Sequence, residues 1–118
     1  MVLAIVFTIC IIIQMFWGGM ATFVNLANWK NHVVFVQKFG FTIPLLMLAF
    51  AYLGAVPKKA YGQMFALFGL TFLMYFTANI SRIIQWIGAT HPVVAILLLA
   101  LSIVILFSSW KLVSKNKT

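Results

Sequence analysis

The chain has 118 residues, enough for one domain, and 65% of them are hydrophobic while only 7% are charged. All eight formal charges are Lys or Arg, with no Asp and no Glu. This excludes a soluble domain, in which roughly a quarter of residues are charged. It also excludes paired-acid hydrolysis, carboxylate metal sites and acidic proton relays inside a membrane.

In chain order, the first predicted element is an apolar span over 2–24, interrupted only by Gln14 and two threonines. It is long enough to cross a bilayer. It lacks a basic leader and a small-residue cleavage pattern, so it reads as a retained span, not a signal peptide. The polar run 25–32 ends it, and Asn28 or Asn31 is expected to cap the next helix. The second span covers 33–56 and holds Pro44, which cannot donate to the carbonyl of Gly40, so a kink is expected there. Pro57-Lys58-Lys59 reads as a tight basic turn. The third span covers 60–80 and fades through Ser81, Arg82 and Gln85. A loop over 86–91 follows, and Pro92 suits the first turn of a fourth span over 92–110. The remainder, Lys111 to Thr118, reads as a short basic tail. The expected fold is all-α: a single integral-membrane domain built as a four-helix transmembrane bundle.

Four spans place the N-terminus, the Lys58–Lys59 turn and the C-terminal tail on one side. That side carries Lys58, Lys59, Lys111, Lys115 and Lys117, against Lys30, Lys38 and Arg82 on the other. The excess of basic residues puts both termini in the cytoplasm. Trp29, Trp86 and Trp110 fall at span ends, where interfacial aromatics belong. The thin basic charge at membrane borders points to anionic lipid headgroups as partners, not nucleic acid. Cys10 is the single cysteine, so there is no internal disulfide and no cysteine-based metal site. Gly62, Ala66 and Gly69 form a small-residue stripe expected to pack within the bundle, as are Gly18 and Gly19. Gln14, Gln37, Thr42, Gln63, Thr71, Thr77 and Asn79 are expected mostly to bond between helices, with Asn79 and Arg82 lining a polar cavity. Gln14 is placed to contact a quinone or a backbone carbonyl.

The candidate site is a pair of histidines. His32 begins the second span and His91 the fourth, so both sit at similar depth on the outer face. The second and fourth helices of a bundle can lie diagonally across its core, where two imidazoles can act as axial ligands of a haem iron. Lys38 and Arg82 lie near the same face without a protein acid to pair with, and haem would bring two propionates to them. The plainer reading makes His91 a helix-entry residue, His32 a hydrated loop residue, and Lys38 and Arg82 lipid-phosphate contacts.

The segments 16–24, 28–32, 75–79 and 88–93 resemble an uncharacterised family of small four-span bacterial membrane proteins. The resemblance covers nearly the whole chain and implies a four-helix bundle in a bacterial cytoplasmic membrane. In arrangement the chain also resembles one half of haem A synthase, a four-helix bundle whose second and fourth helices carry a haem-binding histidine pair. His32 and His91 match in helix order and membrane side. The acidic residue near the first histidine, the second bundle and the loop cysteines are absent, so the resemblance implies binding of haem b and not haem A synthesis.

Two main readings follow. One is a b-type cytochrome-like bundle with His32 and His91 as ligands, exchanging electrons with a quinone. The other is a non-catalytic accessory or assembly subunit of a larger membrane complex, with a small transporter or pore behind it. No catalytic residue stands out, and the chain is not expected to be an enzyme.

Overall fold

The structure, a computed structural model, describes residues 1–116; Lys117, one of the lysines in the charge comparison, lies outside them. It contains helices α1 (Val2–Phe23), α2 (Trp29–Phe39), α3 (Thr42–Leu53), α4 (Lys58–Ile80), α5 (Gln85–Gly88) and α6 (His91–Asn116), and no strand among the described residues. Four helical stretches, Val2–Phe23, Leu26–Leu53, Lys58–Ile80 and Gln85–Asn116, are long and apolar enough to cross a membrane. Their outward faces carry large exposed apolar side chains such as Phe16, Phe65 and Phe107. Lipid can solvate such a surface; water cannot.

The helices alternate in direction. Gln14 bonds to His32, and Phe7 of α1 meets Phe39 of α2 edge-on at 5.9 Å. Tyr75 reaches Val36, while Tyr61 of the same helix reaches Ala51. Gln63 meets Ser108, and Thr77 meets His91. Each set of pairs runs in opposite senses along its two helices, so neighbours are antiparallel. Span one packs on spans two and four, and span three on the same two. Spans two and four therefore face each other diagonally. The core is built from Phe7, Ile11, Phe39, Met47, Leu67, Leu98 and Ile105.

Several boundaries differ from the expected ones, each for a local reason. The second span is two helices. Gly40 and Phe41 form a turn, and Pro44 falls in the first turn of α3, where a missing N–H costs little. The expected kink is thus a full break placed before the proline. Asn28 does stand at the N-cap of α2, but its side chain makes no capping bond. Asn25 makes one instead, accepting from the Ala27 N–H at 2.8 Å in the 3₁₀ turn Leu26–Asn28. Lys58 and Lys59 are not turn residues; they open α4 behind Pro57, and the turn lies just before, with Ala55 at a φ of 47°. Residues 86–88 of the expected loop, with Gln85 before them, form α5. The expected tail is helical to Asn116, since 111–116 contains no Gly or Pro and lysines suit a helix C-terminus.

The Gly62–Ala66–Gly69 stripe does not pack within the bundle. All three residues are exposed, and a Cβ on Gly62 or Gly69 would meet nothing within 4 Å. Gly19 is likewise open, whereas Gly18 lies against His32. Buried hydroxyls mostly satisfy themselves on their own helix: Thr8 bonds Ala4 O, Thr71 bonds Leu67 O, and Ser102 bonds Leu99 O. Asn79 does the same with Tyr75 O. Of the polar residues expected to bond between helices, Gln14, Gln63 and Thr77 do so, and Tyr61 and Tyr75 add two such bonds.

Candidate functional site

The helix break shapes the site. The Tyr75 hydroxyl donates to the carbonyl of Val36 at 3.2 Å, which also accepts the Gly40 N–H at 2.7 Å. A Cβ at Gly40 would come within 2.6 Å of the Tyr75 hydroxyl, so a residue without a side chain is needed there. Phe41 stacks on Tyr75 with ring centroids 5.0 Å apart. This brace fixes the short α2, and with it His32, against α1 and α4.

His32 is held reciprocally by Gln14. The His32 ring Nδ1 lies 3.1 Å from the Gln14 main-chain oxygen, and the Gln14 side-chain Nε2 donates to the His32 main-chain oxygen at 2.8 Å. A carbonyl can only accept, so the His32 proton sits on Nδ1. Gln14 is thus buried for the second of the two contacts expected of it, a backbone carbonyl. Its Oε1 is a buried polar atom without a partner. Trp29 stands edge-on to the imidazole at 5.4 Å, and Gly18 leaves room beside it.

His91 opens α6, one residue earlier than expected. Its Nδ1 is 2.9 Å from the Thr77 hydroxyl oxygen. That hydroxyl has two carbonyls in reach, Leu73 O at 2.8 Å and Met74 O at 3.1 Å, and donates its one proton to them. Its lone pair therefore accepts from His91, whose proton is also on Nδ1. His91 also has the Met74 backbone carbonyl as a partner.

The two rings meet across the bundle. Their centroids are 6.3 Å apart with an interplanar angle of 65°. They line one cavity of about 540 Å³, within the range of roughly 300–1,000 Å³ usual for small-molecule sites. Its inner part is walled by Phe7, Ile11, Phe39 and Leu98, and Asn79, Ser81, Arg82 and Gly88 supply the end of α4 and the α5 segment. Arg82 thus shares the cavity with both histidines. Lys38, grouped with them in the sequence reading, does not: it is exposed and absent from the lining, whereas its neighbour Gln37 is present. No group of three or more His, Cys, Asp or Glu side chains comes together among the described residues.

Gln14, Gly40, Tyr75 and Thr77 went unassigned to the site by sequence reading. The only hint was polar side chains inside apolar spans, which does not reveal their partners.

The family of unknown function DUF6220 matches residues 14–81, more than half of the chain. The matched stretch holds Gln14, His32, Gly40, Tyr75 and Thr77, while Arg82 and His91 follow it. No curated protein and no solved structure matches the chain. The chain belongs to the DUF6220 family.

Proposed function

We propose that the chain is a small b-type cytochrome whose haem is held between His32 and His91. The observation that carries this reading is the pair itself: two imidazoles from diagonal helices, 6.3 Å apart, on the wall of one cavity. Two imidazoles on opposite sides of one metal, at metal–nitrogen bonds of about 2.0–2.1 Å, hold their centroids about 6 Å apart. Two protein ligands are too few for a closed four-coordinate ion site, but His32 and His91 would suffice to hold a haem, whose macrocycle would supply the remaining donors. Each ring has its Nδ1–H taken by a helix-borne oxygen, the arrangement that orients metal-bound histidines and keeps the Nε2 lone pair available. The apolar walls suit a macrocycle, and Arg82 suits a propionate in a chain without carboxylate side chains. A bound haem would supply one-electron chemistry, with a lipid-dissolved quinone as the matching partner class. We place the protein in a bacterial cytoplasmic membrane with both termini cytoplasmic, on the excess of Lys58, Lys59, Lys111 and Lys115 at that end.

The test is a reduced-minus-oxidised visible spectrum of protein expressed with haem supplied and purified in mild detergent. Sharp reduced α and β bands are expected, and they should vanish in His32→Ala and in His91→Ala. A flat spectrum at full haem supply overturns the proposal. The accessory-subunit reading then takes its place. It is favoured by the outward Gly62–Ala66–Gly69 face, where another backbone can approach closely.

A further inference from the structure

We propose that the groove between α3 and α4 holds one anionic phospholipid, an assignment independent of the haem reading. The groove has a volume of about 410 Å³ and is lined by Leu45, Leu48, Ala49 and Tyr52 from α3 and by Tyr61 and Phe65 from α4. The α3 residues follow an i, i+3, i+4, i+7 pattern, which is one helix face. Leu45, Tyr52 and Phe65 are exposed, so the groove opens outward to where lipid lies.

Its two ends differ. Leu45 lies seven residues, about 10 Å of helix rise, deeper than Tyr52. Tyr52 sits at the end of α3, next to the 54–57 turn, where an amphipathic ring belongs at the headgroup level. On α4, Lys58 does not itself line the groove; it lies seven residues before Phe65 on the same face, beyond the lining residue Tyr61 toward the interfacial end. Lys59 is beside it, and both lysines are exposed. The chain contains no Asp or Glu to neutralise them. A helix side chain leans toward the helix N-terminus, which at Lys58 is away from the bilayer core and toward headgroups. An acyl chain along Leu45, Ala49 and Phe65 with its phosphate at Lys58 and Lys59 satisfies both features. A zwitterionic lipid satisfies only the first, because its own cation faces the lysines.

Native mass spectrometry of the purified full chain tests this, with equimolar phosphatidylglycerol and phosphatidylcholine of identical acyl chains. Retention of phosphatidylglycerol over phosphatidylcholine is expected, at about fivefold per lysine. Lys58→Gln with Lys59→Gln should remove the preference while leaving lipid retention. Ala49→Phe, which fills the groove from an exposed position, should lower retention of both lipids, and Leu45→Trp serves as a second filling variant if the first does not fold. Lys111→Gln, at the same end of the molecule on α6, should leave the preference intact. Equal retention of the two lipids, or equal loss of preference in Lys111→Gln, overturns the proposal. So does unchanged retention in the filled variants.

Discussion

At the residue scale, the site depends on where each imidazole puts its proton. The carbonyl of Gln14 and the hydroxyl of Thr77 decide that, and both lie on a different helix from the ring they orient. Thr77 is the more replaceable of the two, because a side chain can be changed and a main-chain oxygen cannot. Thr77→Val keeps the shape and removes the acceptor. Loss of such a supporting contact typically lowers metal affinity about 10–100-fold. If the chain holds haem as proposed, the expected result is a reduced α band of unchanged position with weaker haem retention, measured by haem transfer to apomyoglobin. Transfer rates equal to wild type would mean that Thr77 does not orient His91. The histidines themselves were visible in the sequence because titratable residues at the ends of apolar spans are few. Gln14 and Thr77 were visible as polar residues, but their partners were not. A bond between residues 14 and 32, or 77 and 91, exists only after the helices have paired. Lys38 shows the opposite failure. Sequence put it near the right end of the right helix, but the angular position that decides whether it lines the cavity depends on how α2 is rotated.

At the element scale, the break between α2 and α3 places the site. Pro44 announces a disruption in the sequence, since it cannot donate to the carbonyl four residues earlier. Its position does not say whether the helix bends or stops. Tyr75 decides this by bonding Val36 and occupying the space that a side chain on residue 40 would need. Gly40→Ala therefore forces the Tyr75 ring away or reshapes the turn. The expected outcome is a lowered thermal midpoint in detergent, by about 1 kcal/mol of stability for the lost hydrogen bond, and, on the haem proposal, weaker haem retention. Tyr75→Phe removes the hydroxyl contact but not the 2.8 Å approach of a Cβ to the Val36 oxygen, so Gly40→Ala in that background should cost less than in wild type without becoming neutral. Additive losses would show that the two residues are not coupled. The lysines of α4 and the helical course of 111–116 are smaller cases of the same kind. Helix ends depend on which backbone groups find partners, and composition alone locates them only to within a turn.

At the scale of the whole molecule, the bundle encloses a cavity at one end and a packed core at the other. Phe7 and Leu67 are almost fully buried, at 1% and 0% exposure. Lipid is as apolar as the core, so their contribution comes from close packing and not from transfer out of water. Leu67→Ala should cost about 2–3 kcal/mol, the lower part of the range for buried leucines in water, because the transfer part is missing. Unfolding by a denaturing detergent against a mild one measures this. A loss below about 0.5 kcal/mol would mean the site collapses onto the smaller residue.

Composition and hydropathy by themselves determined that the chain is helical and built from four apolar spans, because a backbone in lipid must satisfy its own hydrogen bonds within each span. The order of spans along the chain also fixed which ends share a side, and so that His32 and His91 lie at one end. Only the tertiary structure decided that the two imidazoles meet, that Arg82 joins them while Lys38 does not, and that the small-residue stripe faces outward. These are questions of helix rotation about the long axis. In an apolar solvent that rotation leaves little trace in hydropathy, since residues facing the core and residues facing lipid are equally apolar.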